Sequence, residues 1–202
     1  MHYGIVFILN MKDKLIRTFL AIPVPVDVKS KKNMLYSTLD SSNGVIHWVK
    51  NTQLHLTLKF IGHTPESSLN NIIKHVEKIT LDLNPFDLKI KDTGCFPIPA
   101  RPRVLWLGVH GKLDLLFNLV EKIESTLEPI GFPKADREFS PHITVARIKY
   151  PQKHTPKIDP FLKSSYDPID LPVDRVQFFS SEMLQSESVY TILKTFPLGE
   201  NL

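Results

Sequence analysis

The stretch LHLTLKF, residues 54–60, reads as a strand that carries an ionisable ring, and PHITVARI, residues 141–148, repeats its pattern. In both, histidine and threonine stand two apart with an apolar residue after each: His55-Leu56-Thr57-Leu58 and His142-Ile143-Thr144-Val145. Successive side chains on a strand point to opposite faces. His55 and Thr57 therefore share one face while Leu54, Leu56, Leu58 and Phe60 turn to a core, and His142 and Thr144 stand likewise opposite Ile143 and Val145. In a chain of 202 residues with eight histidines, this four-residue pattern should arise about 0.08 times by chance. Two copies are therefore a signal, and pairing the two strands would set one imidazole against the other across a cleft.

Two facing imidazoles suit transfer of a phosphoryl group between oxygens. One ring takes a proton from the nucleophile and the other gives one to the leaving oxygen. Both forms of histidine exist near neutrality, since its ordinary pKa is about 6.5, and such acid–base work typically contributes ~10²- to 10⁴-fold per group. The hydroxyls of Thr57 and Thr144 can donate to the non-bridging phosphate oxygens. This chemistry needs no metal and no cofactor, and the chain contains neither a His-Glu-x-x-His run nor a His/Cys cluster.

Further substrate-binding candidates are cationic. Lys59 shares the face of His55 and Thr57 if the strand is regular, where it would meet a phosphate; a solvated edge lysine is the competing reading. Arg147 follows His142 by five residues and points to the opposite face of an ideal strand. A bulge or strand end would turn it inward, where its planar fork suits phosphate. Arg103, with Arg101, flanks a proline-rich bend and is a weaker candidate. Phe19, Trp48 and Phe139 are candidates for stacking a base, with core packing as the competing role. His2, His47, His63, His75, His110 and His154 lack a threonine two residues on and read as structural or solvated.

With 42% hydrophobic and 23% charged residues, the composition is that of a globular protein rather than a disordered or membrane one. The net charge of +4 suits an anionic ligand. A single cysteine, Cys95, excludes an internal disulfide and fits a reducing, cytoplasmic setting, with the thiol in a packing role. The apolar run at 4–9 is too short to span a bilayer and lacks the marks of a signal peptide. Residues 1–10 read as a possible N-terminal extension, because Met11 opens an equally good start; residues 11–202 read as one domain, expected to be a monomer.

Strands are expected at 17–25, 45–49, 54–61, 86–96, 103–109, 142–148, 173–182 and 188–198. Helices are expected at 26–39, from a Thr64 cap with Pro65 at the first helical position, and at 112–130. Residues 151–168 read as an irregular connection with a short helix. This order lacks a regular βαβ alternation and predicts an α+β fold.

The motifs HLTL at 55–58 and HITV at 142–145 resemble the paired signatures of the two-histidine phosphoesterase superfamily. The blocks RTFLAIPVP, NTQLHLTLKFIG, RPRVLWLGV and FSPHITVARI are similar to its bacterial and archaeal branch, the RNA 2',3'-cyclic phosphodiesterases, also called 2'-5' RNA ligases. The resemblance covers about Arg17 to Phe196. It implies a bilobal fold of pseudo-two-fold duplicated lobes, each an antiparallel sheet with helices on its outer face, around a central cleft. It also implies metal-independent hydrolysis of an RNA 2',3'-cyclic phosphate end to a 2'-phosphate, with His55 as acid and His142 as base. The RNA partner would be a tRNA fragment or another oligoribonucleotide. Reversible 2'-5' ligation, action on a related cyclic nucleotide, and noncatalytic binding of RNA or phosphate are the alternatives.

Overall fold

The computed structural model describes residues 13–39, 44–184 and 187–199; the extension foreseen over 1–10 lies outside the described residues. The apolar run that opens the chain becomes β1 (Leu15–Pro23), with Phe19 through Ile22 all buried. Helix α1 (Asp27–Ser37) follows, burying Val28 and Leu35, and its Lys32 Nζ donates to the Val49 carbonyl at 2.8 Å. Next come β2 (His47–Trp48) and β3 (His55–Pro65), the latter longer than its sequence pattern indicates.

The capped helix expected from Thr64 begins later. Residues 64 and 65 finish β3, a single 3₁₀ turn spans Glu66–Ser68, and α2 runs Leu69–Leu81. The Thr64 hydroxyl is buried and bonded to the Thr18 hydroxyl at 2.6 Å on the neighbouring strand. Cross-strand pairing therefore takes the oxygen that local rules assign to a cap.

The remaining elements are β4 (Phe86–Phe96), β5 (Val104–Gly111), α3 (Leu113–Leu127), β6 (His142–Arg147), α4 (Asp159–Leu162), β7 (Ile169–Val173), β8 (Arg175–Leu184) and β9 (Glu187–Pro197). Strand β7 is hidden from sequence by its Pro172, which the sheet accommodates because β7 is an edge strand. Among the described residues, no helix is long and apolar enough to cross a membrane.

Every strand pairing is antiparallel, and the order is β7-β4-β5-β6-β3-β1-β8-β9, with β2 laid on β6. The architecture is α+β. The separate sheets foreseen for two lobes are the two halves of one sheet, β7-β4-β5-β6 and β3-β1-β8-β9. These halves meet at β3 and β6, whose only recorded pair is Leu56↔Ile143. Both residues are fully buried. Helix α2 packs on β8 and β9 and on α3, which in turn reaches β3.

The halves also match in detail. Beside β1, strand β3 skips Leu58 between the partners Ala21↔Thr57 and Leu20↔Lys59. Beside β5, strand β6 skips Val145 between Trp106↔Thr144 and Leu105↔Ala146. The same bulge thus falls at the same place in each motif, three residues after the histidine. Because Leu56 is the pivot of both halves, Leu56→Ala should destabilise the fold by about 2–5 kcal/mol, read from the midpoint and slope of urea unfolding.

Candidate active site

On each side of the Leu56↔Ile143 pair the strands diverge, opening a cavity of about 850 Å³. His55, Thr57, His142 and Thr144 all line it, each half-buried, while Leu56, Leu58, Ile143 and Val145 between them are buried. The period-two alternation predicted from the motifs places all four in this way.

The two imidazoles are held alike. His55 Nδ1 donates to the Gln53 carbonyl at 2.7 Å, and His142 Nδ1 donates to the Ser140 carbonyl at 2.8 Å. Each bond spans two residues back along the chain and keeps the proton on Nδ1, which leaves Nε2 as the atom that gains or loses one. Aromatic rings fix the ring planes. Phe19 lies 4.9 Å from the His55 ring and Tyr190 meets it edge-on at 5.6 Å, while Phe96 meets the His142 ring edge-on at 5.0 Å.

Burial pushes the pKa of both histidines below the ordinary value, partly offset by the backbone hydrogen bonds that favour the charged ring. The Arg147 guanidinium lowers both further, and His142 adds its own repulsion at His55. Each ring therefore favours its neutral form near pH 7. An anion beside either ring would favour its charged form.

Arg147 lines the cavity. The bulge is the reason: Val145 and Ala146 are both buried, so the alternation restarts one residue late and Arg147 shares the face of His142 and Thr144. The identical shift in β3 has the opposite consequence for Lys59. Leu58 and Lys59 both turn inward, and the lysine is buried in an ion pair with Glu124 of α3, with its Nζ also donating to the Pro133 carbonyl at 2.7 Å. Lys59 is therefore a structural cation and does not face the cavity. The cavity-facing place falls instead to Phe60, 70% exposed, so that an aromatic ring in one half occupies the position of Arg147 in the other.

Arg103 also lies away from the cavity. Val104 takes the inward place on β5, which turns the neighbouring Arg103 outward, and its guanidinium sits over the Tyr150 ring at 5.8 Å beside that of Arg101 at 5.1 Å. Of the stacking candidates, Phe19 is almost wholly buried, Phe139 packs edge-on against Phe117, and Trp48 lines the cavity with its ring against Tyr36. Cys95 is half-buried, and burial raises its thiol pKa, as befits a packing residue. Among the described residues, no three His, Cys, Asp or Glu side chains gather where a metal ion could be held.

Several lining residues carry no signal in their local sequence. His47 enters because β2 pairs His47 with Arg147, Tyr190 because β9 folds back beside β8, and Gln53 through the turn before β3. Arg17 and Lys149 complete the basic rim. For Arg17 a signal did exist: it stands two residues before Phe19 in the strand block RTFLAI, on the same side by alternation.

Two outcomes test this arrangement. Lys59→Ala strands Glu124 as a buried unpaired charge and should cost about 3–5 kcal/mol, whereas the double change Lys59→Met with Glu124→Leu should recover most of it; chemical denaturation compares them. Arg147→Gln removes a cation that opposes protonation, so the pKa of both cavity imidazoles should rise, a shift followed by NMR titration of the ring protons.

Comparisons with known proteins agree with this geometry. A family model described as LigT like Phosphoesterase matches residues 22–106 and 108–190, one segment for each motif. A Thermotoga maritima protein named RNA 2',3'-cyclic phosphodiesterase is 33% identical over 88% of this chain and 92% of its own length. A Thermus thermophilus protein of the same name is 32% identical over 92% of each. The crystal structure of TT0787 from Thermus thermophilus superposes with a TM-score of 0.75 at 28% identity, covering 92% of this chain and 100% of that one. Escherichia coli LigT complexed with 3'-AMP shares the fold at a TM-score of 0.72 and 22% identity, over 92% of this chain and 99% of that one. With both motif strands inside the matched segments and the alignment running through nearly the whole sheet, the chain belongs to the LigT-like phosphoesterase family.

Proposed function

We propose that this phosphoesterase opens the 2',3'-cyclic phosphate at the end of an RNA strand to a 2'-phosphate, with its two histidines as the acid and base and no metal in the step. The observation that carries this reading is the matched pair of rings in one cavity, each tied by Nδ1 to a carbonyl so that Nε2 is the working atom.

In the proposed step, neutral His142 takes a proton from water through Nε2 as the water oxygen bonds to phosphorus. The P–O3' bond breaks, and protonated His55 gives its Nε2 proton to the leaving 3'-oxygen. Thr57 and Thr144 donate hydrogen bonds to the non-bridging oxygens, and Arg147 offsets the growing negative charge. The resemblance to relatives assigns the acid role to His55, and an asymmetry of the cavity favours the same order. In an in-line displacement the nucleoside lies on the side of the leaving oxygen, hence beside the acid. Phe60, 70% exposed, and Tyr190 line the cavity in the half that carries His55, against Trp48 alone in the half that carries His142.

The decisive assay incubates the protein and EDTA with an oligoribonucleotide ending in a 2',3'-cyclic phosphate and identifies the product. A 2'-phosphate is expected, with turnover reduced ~10²-fold or more in His55→Ala and in His142→Ala. A 3'-phosphate product, chelator-sensitive turnover, or undiminished turnover in both variants would overturn the proposal. Binding without turnover by the unaltered protein would show the cavity to be a phosphate-binding site alone.

A further inference from the structure

The residue two places before each motif histidine decides where its ring points, because its carbonyl accepts the Nδ1 proton. Gln53 and Ser140 fill this place, and they are held differently. Gln53 closes a single 3₁₀ turn, Asn51–Gln53, which has no side-chain cap and whose last backbone N–H donates to the Lys50 carbonyl at 2.9 Å. Its side chain reaches out of the turn: Gln53 Nε2 donates to the main-chain oxygen of Ser188 on β9, 135 residues away. Ser140 is exposed, and among the described residues its hydroxyl has no recorded hydrogen bond.

The bond to Ser188 joins two groups that touch the His55 ring. Ser188 pairs with Met183 next to the end of the β8–β9 hairpin. Tyr190 follows two residues on, shares the face of Ser188 by alternation, and meets the ring edge-on at 5.6 Å. Gln53, Ser188 and Tyr190 all line the cavity. One carboxamide thus ties the carbonyl that orients His55 to the strand that packs against the same ring. A carbonyl in a short turn moves with that turn, and a displacement of about 1 Å at a reacting group can cost ~10²-fold in rate. The ring of His142 rests on Phe96 of β4 and has no matching tie.

We infer that Gln53 is a positioning residue for His55: its side-chain amide uses the β8–β9 hairpin as a brace for the carbonyl that holds Nδ1, so that Nε2 keeps one direction in the cavity. The effect on turnover rests on the function proposed above, and the brace serves one of the two rings only. It acts without a bond to the substrate, and its acceptor is a main-chain oxygen that a change of the Ser188 side chain leaves in place.

The test uses Gln53→Met, which keeps the length of the side chain and removes its donor, with Gln53→Ala as a second variant if the first does not fold. On an oligoribonucleotide ending in a 2',3'-cyclic phosphate, kcat should fall about ten-fold or more while KM stays within about two-fold. NMR titration of the ring protons gives the readout that a merely structural loss would not move. The bond to the Gln53 carbonyl favours the charged ring, so loosening it should lower the pKa of His55 and leave that of His142 where it is. Arg147 and His142, the charges that act on His55, are untouched by either substitution. An unchanged kcat, a loss confined to KM, an unmoved His55 pKa, or an equal shift of both rings would overturn the brace. If the unaltered protein leaves the cyclic phosphate intact, the reaction proposed above fails on its own, and the titration decides the brace: a fall at His55 alone upholds it and no selective fall overturns it.

Discussion

The single recorded pair between β3 and β6, Leu56↔Ile143, holds the two halves of the sheet together and at the same time creates the cavity. A longer ladder would close the strands against one another and leave no room between the histidines. No pairing at all would let the halves separate and expose two fully buried side chains. One pair, buried by aliphatic neighbours, lets the strands splay on either side while fixing the spacing of the groups they carry. The alternation along each strand then delivers the chemistry: apolar residues face the core, histidine and threonine face the gap.

The halves are alike in backbone and unlike in charge. Both strands bulge three residues after the histidine, and both histidines bond to the carbonyl two residues earlier. Yet the residue that the bulge turns toward the cavity is Phe60 in one half and Arg147 in the other. A duplicated scaffold thus supplies two imidazoles held alike, while the side chains at the matching positions beyond the bulges differ in charge.

Electrostatics and burial act together on the two imidazoles. Desolvation and the Arg147 guanidinium both disfavour imidazolium at these positions, a penalty that a neighbouring anion would lessen. The buried Lys59–Glu124 pair lies on the core side of β3; it ties the bulge of that strand to α3, and its desolvated charges need one another.

Much of the fold and the centre of the site were legible in the sequence, because the signals there are local. Strand alternation requires only neighbouring residues, and it placed His55, Thr57, His142 and Thr144 on exposed faces as well as the core aliphatics between them. Other features depend on partners distant in the chain. A bulge is a mismatch between two strands, so β3 and β6 reveal theirs only against β1 and β5, and with it the inward turn of Lys59 and the cavity-facing place of Arg147. The same holds for Thr64, whose hydroxyl is taken by Thr18, for β7, tolerated with its proline because it lies at an edge, and for Arg103, turned outward by the inward Val104. By itself the sequence determined which chemical groups come in a pair and which face of a strand each occupies. Only the tertiary structure decided which cations reach the cavity, since that depends on strand register, and register is set by side chains packed from across the sheet.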